Sequence, residues 1–172
     1  MDIEKFWAVI QDTHQVSNGN LDKQLELIIE TLTDLSAESI REFDRLIWVM
    51  MARAYRVDLW EAASVVACGC SDDGFHEFRG WLIAQGATVY EKALDDPNNL
   101  ADVVDKEQRF NIFNGRTTSI AQEAYERKTG QDIPETGYRE KVELRRRLLA
   151  ANERPTHYPR ILATVLSWIK RE

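Results

Sequence analysis

The chain has 172 residues, 44% of them hydrophobic and 30% charged, with 8 Gly, 4 Pro, 2 Cys and a formal net charge of -7. A chain of this length buries roughly 70% of its unfolded surface, so one domain with its own core is expected. Scarce Gly and Pro exclude collagen-like and low-complexity sequence, and the apolar share excludes a disordered acidic tail.

Helical periodicity begins at once. Ile3, Phe6, Trp7 and Ile10 recur at helical spacing behind Asp2, a good N-cap, and Ser17 to Asn20 interrupts them. From Asn20 a second stripe follows through Leu21, Leu25, Ile28, Ile29, Leu32 and Leu35. Ser36 opens a third helix whose face is Ile40, Phe43, Ile47, Met50 and Met51. Leu46, Trp48 and Val49 make other sides apolar too, which predicts a central helix. The fourth runs from Asp58 to Gly69, with Asp58 as cap, Glu61 completing a capping box and Gly69 at the stop. The fifth is capped by Ser71, Asp72 or Asp73 and ends at Gly86; Thr88 with Glu91 boxes the sixth, which Asp96-Pro97 terminates.

Beyond Leu100 the pattern predicts a short helix to Glu107 and a loop from Gln108 to Thr117. Ser119 with Gln122 then starts a helix that Thr129-Gly130 stops. A basic helix from about Thr136 to Ala150 and a last one entered through Pro159 complete the chain. No alternating strand, fixed-period repeat or long linker interrupts this series. The expected fold is an all-α, single compact domain of about nine or ten helices without substantial sheet. It spans residues 1–172, with a core over 1–130 and basic C-terminal helices over 131–172 packing on it.

The first seven residues carry acids where a secretory signal needs bases. The longest apolar stretch, Ile161 to Ile169, is half the length of a membrane span. Cys68 and Cys70 stand one residue apart, a spacing at which a disulfide is strained. A reduced, cytoplasmic protein without membrane contact is expected.

The net charge conceals an asymmetry. Residues 1–100 hold 18 Asp and Glu against 8 Lys and Arg, and residues 101–172 hold 11 against 14. Arg139, Lys141, Arg145, Arg146, Arg147 and Arg154 crowd one interval. The plain reading is that this segment docks on the acidic body of its own domain. The sharper one is an anion or nucleic-acid patch through Arg145, Arg146 and Arg147, which the acidic first hundred residues oppose.

The densest chemistry lies between Cys68 and Trp81. Asp72 and Asp73 stand at the mouth of the fifth helix, with His76, Glu77 and Arg79 within two turns. A metal site through Cys68 or Cys70, an aspartate and His76 lacks the paired ligands from separate segments that structural zinc needs. A hydrolase-like acid/base site would use Asp72, Asp73, His76 and Glu77, because neighbouring carboxylates push their pKa values apart. The structural alternative has one aspartate capping the helix while the other accepts from Arg79 or the basic helix. Asp58 divides the same way between cap and ligand, and Tyr55 and Trp60 between core and ligand platform. A thiol beside two carboxylates is expected to have its pKa raised, which argues against a reactive cysteine. Nucleotide-binding, zinc-protease and serine-hydrolase motifs are absent from the sequence.

The run Ala54-Tyr55, Asp58-Leu59-Trp60-Glu61-Ala62-Ala63, Gly69-Cys70-Ser71-Asp72-Asp73-Gly74-Phe75, Phe78-Arg79-Gly80-Trp81-Leu82-Ile83 and Tyr90-Glu91 resembles the bacterial domain of unknown function 4240. Phe6-Trp7 and Ala124-Tyr125 resemble it as well, so the likeness covers about residues 1–130. It implies a bacterial, cytoplasmic origin and brings no activity. The acidic first hundred residues and the lack of a complete catalytic constellation lead to the expected role, a non-catalytic interaction or regulatory domain, of the kind an immunity protein provides, whose acidic face meets a basic protein partner; no cofactor or metal is expected. The hydrolase reading stands second and the Arg145–Arg147 patch third.

Overall fold

The computed structural model describes residues 1–105, 112, 115–135 and 159–169. Over these, every regular element is helical: eight α-helices and two short 3-10 helices, with no strand. The first three caps are those the sequence offers. Asp2 accepts from the Lys5 amide at 2.8 Å to open α1 (Ile3–Ser17). Asn20 accepts from Lys23 at 2.9 Å for α2 (Leu21–Asp34), and Ser36 from Ser39 at 3.2 Å for α3 (Ala37–Arg53). Each satisfies an amide that the first helical turn would leave without a partner.

Of the next three starts, the first and third differ from the sequence reading, while the second takes one of its three offered caps. α4 (Val57–Ala67) has Arg56 at its N-cap, with no side-chain capping bond. Asp58 is not the cap: it lies inside the first turn, where it accepts from the Arg56 guanidinium. α5 (Asp72–Ala84) is capped by Ser71, whose hydroxyl accepts from the Gly74 amide at 3.1 Å, so neither Asp72 nor Asp73 has that task. α6 (Ala87–Asp95) starts at Gly86, whose φ of 89° turns the chain without a side-chain cap. The Thr88–Glu91 box does not form, because Glu91 instead takes both terminal nitrogens of Arg53 at 2.8 and 3.0 Å.

Asp96 caps the 3-10 helix η1 (Pro97–Asp102) through the Asn98 amide. A second 3-10 helix, η2 (Gly115–Thr118), leads into α7 (Ile120–Thr129). Ser119 makes no capping bond there, and Gln122 instead bonds Asp132 and the Ile133 amide. The last helix is α8 (Pro159–Ile169). The basic helix expected over 136–150, Arg145 to Arg147 included, lies outside the described residues.

α2 packs on α1 and on α7, and α3 crosses behind them against α7 and α5. Phe6, Leu25, Ile28, Ile29, Phe43 and Ile47 fill the space between, each 0 or 1% exposed. A fully buried side chain of this size is worth about 1.5–3 kcal/mol. Among the buried polar residues is Gln24 at 1% exposure, whose amide nitrogen donates to the carbonyls of Ala84 at 2.8 Å and Ile10 at 3.3 Å. It ties α1, α2 and the end of α5 together. η2 is laid against α5 at Gly80, where a Cβ would stand 2.9 Å from that of Thr117. Only glycine lets the two backbones come so close. α8 rests on η1 and α4, with Ile161 fully buried.

Candidate functional site

α5 has two faces, and the residues singled out in the sequence divide between them. Inward, Phe75, Phe78 and Arg79 enter the core at 0, 0 and 3% exposure. The Arg79 guanidinium donates to the Met51 carbonyl at 2.8 Å and to the Phe75 carbonyl at 3.3 Å. Its carbon lies 4.5 Å from the ring centre of Tyr55 and 5.0 Å from that of Phe75. A cation over aromatic faces away from water is a favourable contact. Two carbonyls are among its hydrogen-bond partners.

Those rings form a continuous cluster. Trp60 stacks on Phe75 at 5.0 Å with planes 10° apart, and Tyr55 meets both edge-on. The Trp60 indole N–H donates to the Cys70 carbonyl at 3.0 Å, fastening the loop between α4 and α5. Tyr55 is 3% exposed, and its hydroxyl donates to Asp72 at 3.4 Å. Tyr55, Trp60, Asp72 and Arg79 are thus brought together around Phe75. Asp58 is engaged with Arg56, which also donates to the Leu94 carbonyl and so ties the start of α4 to the end of α6.

Outward, His76 and Glu77 face η2. The His76 Nε2 lies 3.2 Å from the Thr118 hydroxyl, and its ring lies 6.0 Å from that of Trp48. Glu77 lies along Gly115, with Oε1 3.1 Å from where a Cβ would be. Asp73 is exposed in the first turn. His76 and Arg79, three residues apart, therefore serve different surfaces of the helix. These contacts fasten α5 to α3 and α4 on one side and to η2 on the other.

Burial, then Glu77, then Asp72 push the Cys70 thiol up to about 11. The sequence anticipated the direction and one of the carboxylates, but burial is the largest cause. Cys68 is exposed at the C-cap of α4. Among the described residues no group of three His, Cys, Asp or Glu side chains is placed to hold a metal ion. No described helix is long and apolar enough to cross a membrane.

A ring of charges absent from the sequence reading joins α2, η2 and α7. Arg116 reaches Glu26 at 2.7 Å and Glu123 at 3.3 Å, while Arg127 reaches Glu123 at 2.6 Å and Glu26 at 3.3 Å. Arg116 and Arg127 together hold the Glu26 carboxyl below its ordinary range. Glu123 and Arg127 are a helical i,i+4 pair and could have been found from spacing. Glu26 and Arg116 are 90 residues apart, and no local pattern links them.

The family described as protein of unknown function (DUF4240) matches residues 1–127 of the 172. No curated protein matches the chain, and no solved structure does.

Proposed function

The chain belongs to the DUF4240 family, and on that premise we propose that it is a non-catalytic interaction domain whose acidic face meets a basic protein partner. One observation carries the reading. On the paired helices α1 and α2, Glu4, Asp12, Asp22, Glu30 and Asp34 are all exposed, with Asp2 at the start of α1, against only Lys5 and Lys23. Opposed potentials of this kind steer encounter and fix partner choice more than they add affinity. The hydrolase reading through Asp72, Asp73, His76 and Glu77 ranks behind it, since Asp72 accepts from Tyr55 and His76 faces Thr118 within the scaffold.

The test is quantitative capture of partners from a bacterial extract on the immobilised chain at low and high salt, beside a variant carrying Glu4→Gln, Asp12→Asn, Glu30→Gln and Asp34→Asn. A partner held by the wild type, released by salt and missed by the variant is the expected result. Retention that ignores both salt and the four substitutions overturns the electrostatic part.

A further inference from the structure

α8 is the described helix that lies wholly outside the family match. The family match ends at residue 127, whereas α8 covers Pro159–Ile169 and rests on α4 and η1, both inside the matched part. Residues 131–172 carry 9 Lys and Arg against 6 Asp and Glu, while residues 1–130 carry 13 against 23. Within the described helix Pro159–Ile169 the one charged side chain is Arg160, and it meets an acid of the matched part. Arg160 donates to Asp102 at 2.6 Å and to Asn99 at 3.2 Å, beside the fully buried Ile161. Both ends of that clasp stand in solvent, at 50 and 65% side-chain exposure. Exposed pairs of this sort guide register more than they hold. Ile161 is the anchor among the described side chains of the helix, and Ala163 beyond it is exposed.

We propose that the α4–η1 face is a helix-docking site for one class of occupant, an apolar helix with a basic residue just before its buried anchor. α8 is its resident example, bound in cis. A partner that presents the same pair, in place of Arg160 and Ile161, and binds the face more tightly than α8 displaces it. This is the helix-in-groove mode of recognition, with a built-in competitor. A tethered helix competes at an effective concentration of about millimolar, so a free helix at micromolar concentration is kept out until α8 is weakened. The inference rests on reading the chain as an interaction domain, but it uses a different face from α1 and α2. Either surface can fail its own test while the other stands.

The test uses the full-length chain and a fluorescein-labelled synthetic peptide of residues 156–172, followed by fluorescence anisotropy. The wild-type chain, its site filled, is expected to take up the peptide weakly. Full-length Ile161→Asp, in which α8 cannot seat, is expected to bind it tenfold or more tightly at one to one. Adding Asp102→Arg to that variant is expected to weaken binding, and a peptide carrying Arg160→Glu to restore it. Equal uptake by wild type and Ile161→Asp overturns occupancy in cis. An Ile161→Asp chain that keeps its helical circular dichroism and cooperative melt but ignores the peptide overturns the docking site. Loss of the cooperative melt in Ile161→Asp makes α8 part of the core and overturns its release.

Discussion

Arg79 and Arg116 both bind separate helices into one body, and they do so on opposite sides of the solvent boundary. Arg79 is 3% exposed, solvated by the Met51 and Phe75 carbonyls and by two aromatic faces. Arg116, 40% exposed at its side chain, shares Glu26 and Glu123 with Arg127 in open water. The difference is one of dielectric. In the interior a lost partner leaves a desolvated polar group behind, whereas at the surface water and salt take the place of what is removed. The residues that look most like a catalytic cluster adjoin the interior joint, and the exposed acids that the proposed function invokes lie on α1 and α2.

Breaking the interior joint is expected to have the largest effect. Arg79→Ala takes the guanidinium donor from the Met51 carbonyl and opens space beside Tyr55 and Phe75. About 3 kcal/mol of stability should be lost, or roughly 6–12 °C in Tm for a chain of this size. Raising salt should not change that loss, and a denaturation series at two ionic strengths checks it. A loss that shrinks with salt would put Arg79 in the same class as Arg116.

Chemistry at the rim of that joint should also be suppressed. With its thiol pushed up to about 11, Cys70 has on the order of a hundredfold less thiolate near pH 8 than an ordinary cysteine. Alkylation followed by peptide mass mapping should find it slower than a model thiol by about that factor. The folded pKa is above the unfolded one, so the preference for the neutral thiol stabilises the fold at lower pH and is lost as pH rises towards 11. Cys70→Ser is expected to remove that alkaline loss.

Gly80→Ala probes the seam between α5 and η2. Its Cβ would lie 2.9 Å from that of Thr117, and overpacking of this kind costs about 1–3 kcal/mol. A thermal melt should register it at any salt concentration. An unchanged or raised Tm would mean that η2 yields easily.

The smallest effect belongs to the surface ring. Glu26→Gln should destabilise slightly at low salt and not measurably at high salt. Because the folded pKa of Glu26 is lowered, its contribution is present above the unfolded carboxylate value of roughly 4.3. It is lost as pH falls through the lower folded value. The difference between wild type and variant should therefore vanish in acid. A difference that persists there would be packing rather than charge.

These contrasts also explain what could be read from the sequence. Asp2, Asn20 and Ser36 are legible as caps because a capping bond spans three residues and the signal is local. Asp58 and Thr88 are not caps because longer-range partners decide: Arg56 reaches on to Leu94, and Glu91 to Arg53. The stretch from Cys68 to Trp81 is recognisable as dense in chemistry. That Arg79 would turn inward onto Tyr55 is not, since it depends on how α3 and α5 cross. Gln24 interrupts an apolar stripe and so marks itself, but its carbonyl partner at Ala84 lies 60 residues away. The acidic surface, by contrast, follows from composition and helical spacing alone.

The most direct test sets the two regions side by side in one partner-capture measurement. It compares the wild type, the Glu4→Gln, Asp12→Asn, Glu30→Gln, Asp34→Asn surface variant, and an Asp73→Asn, His76→Ala variant of α5. Loss of a salt-sensitive partner by the surface variant, with retention by the α5 variant, is the expected result. Retention by the surface variant with loss by the α5 variant would contradict the account and return the function to the cluster on α5.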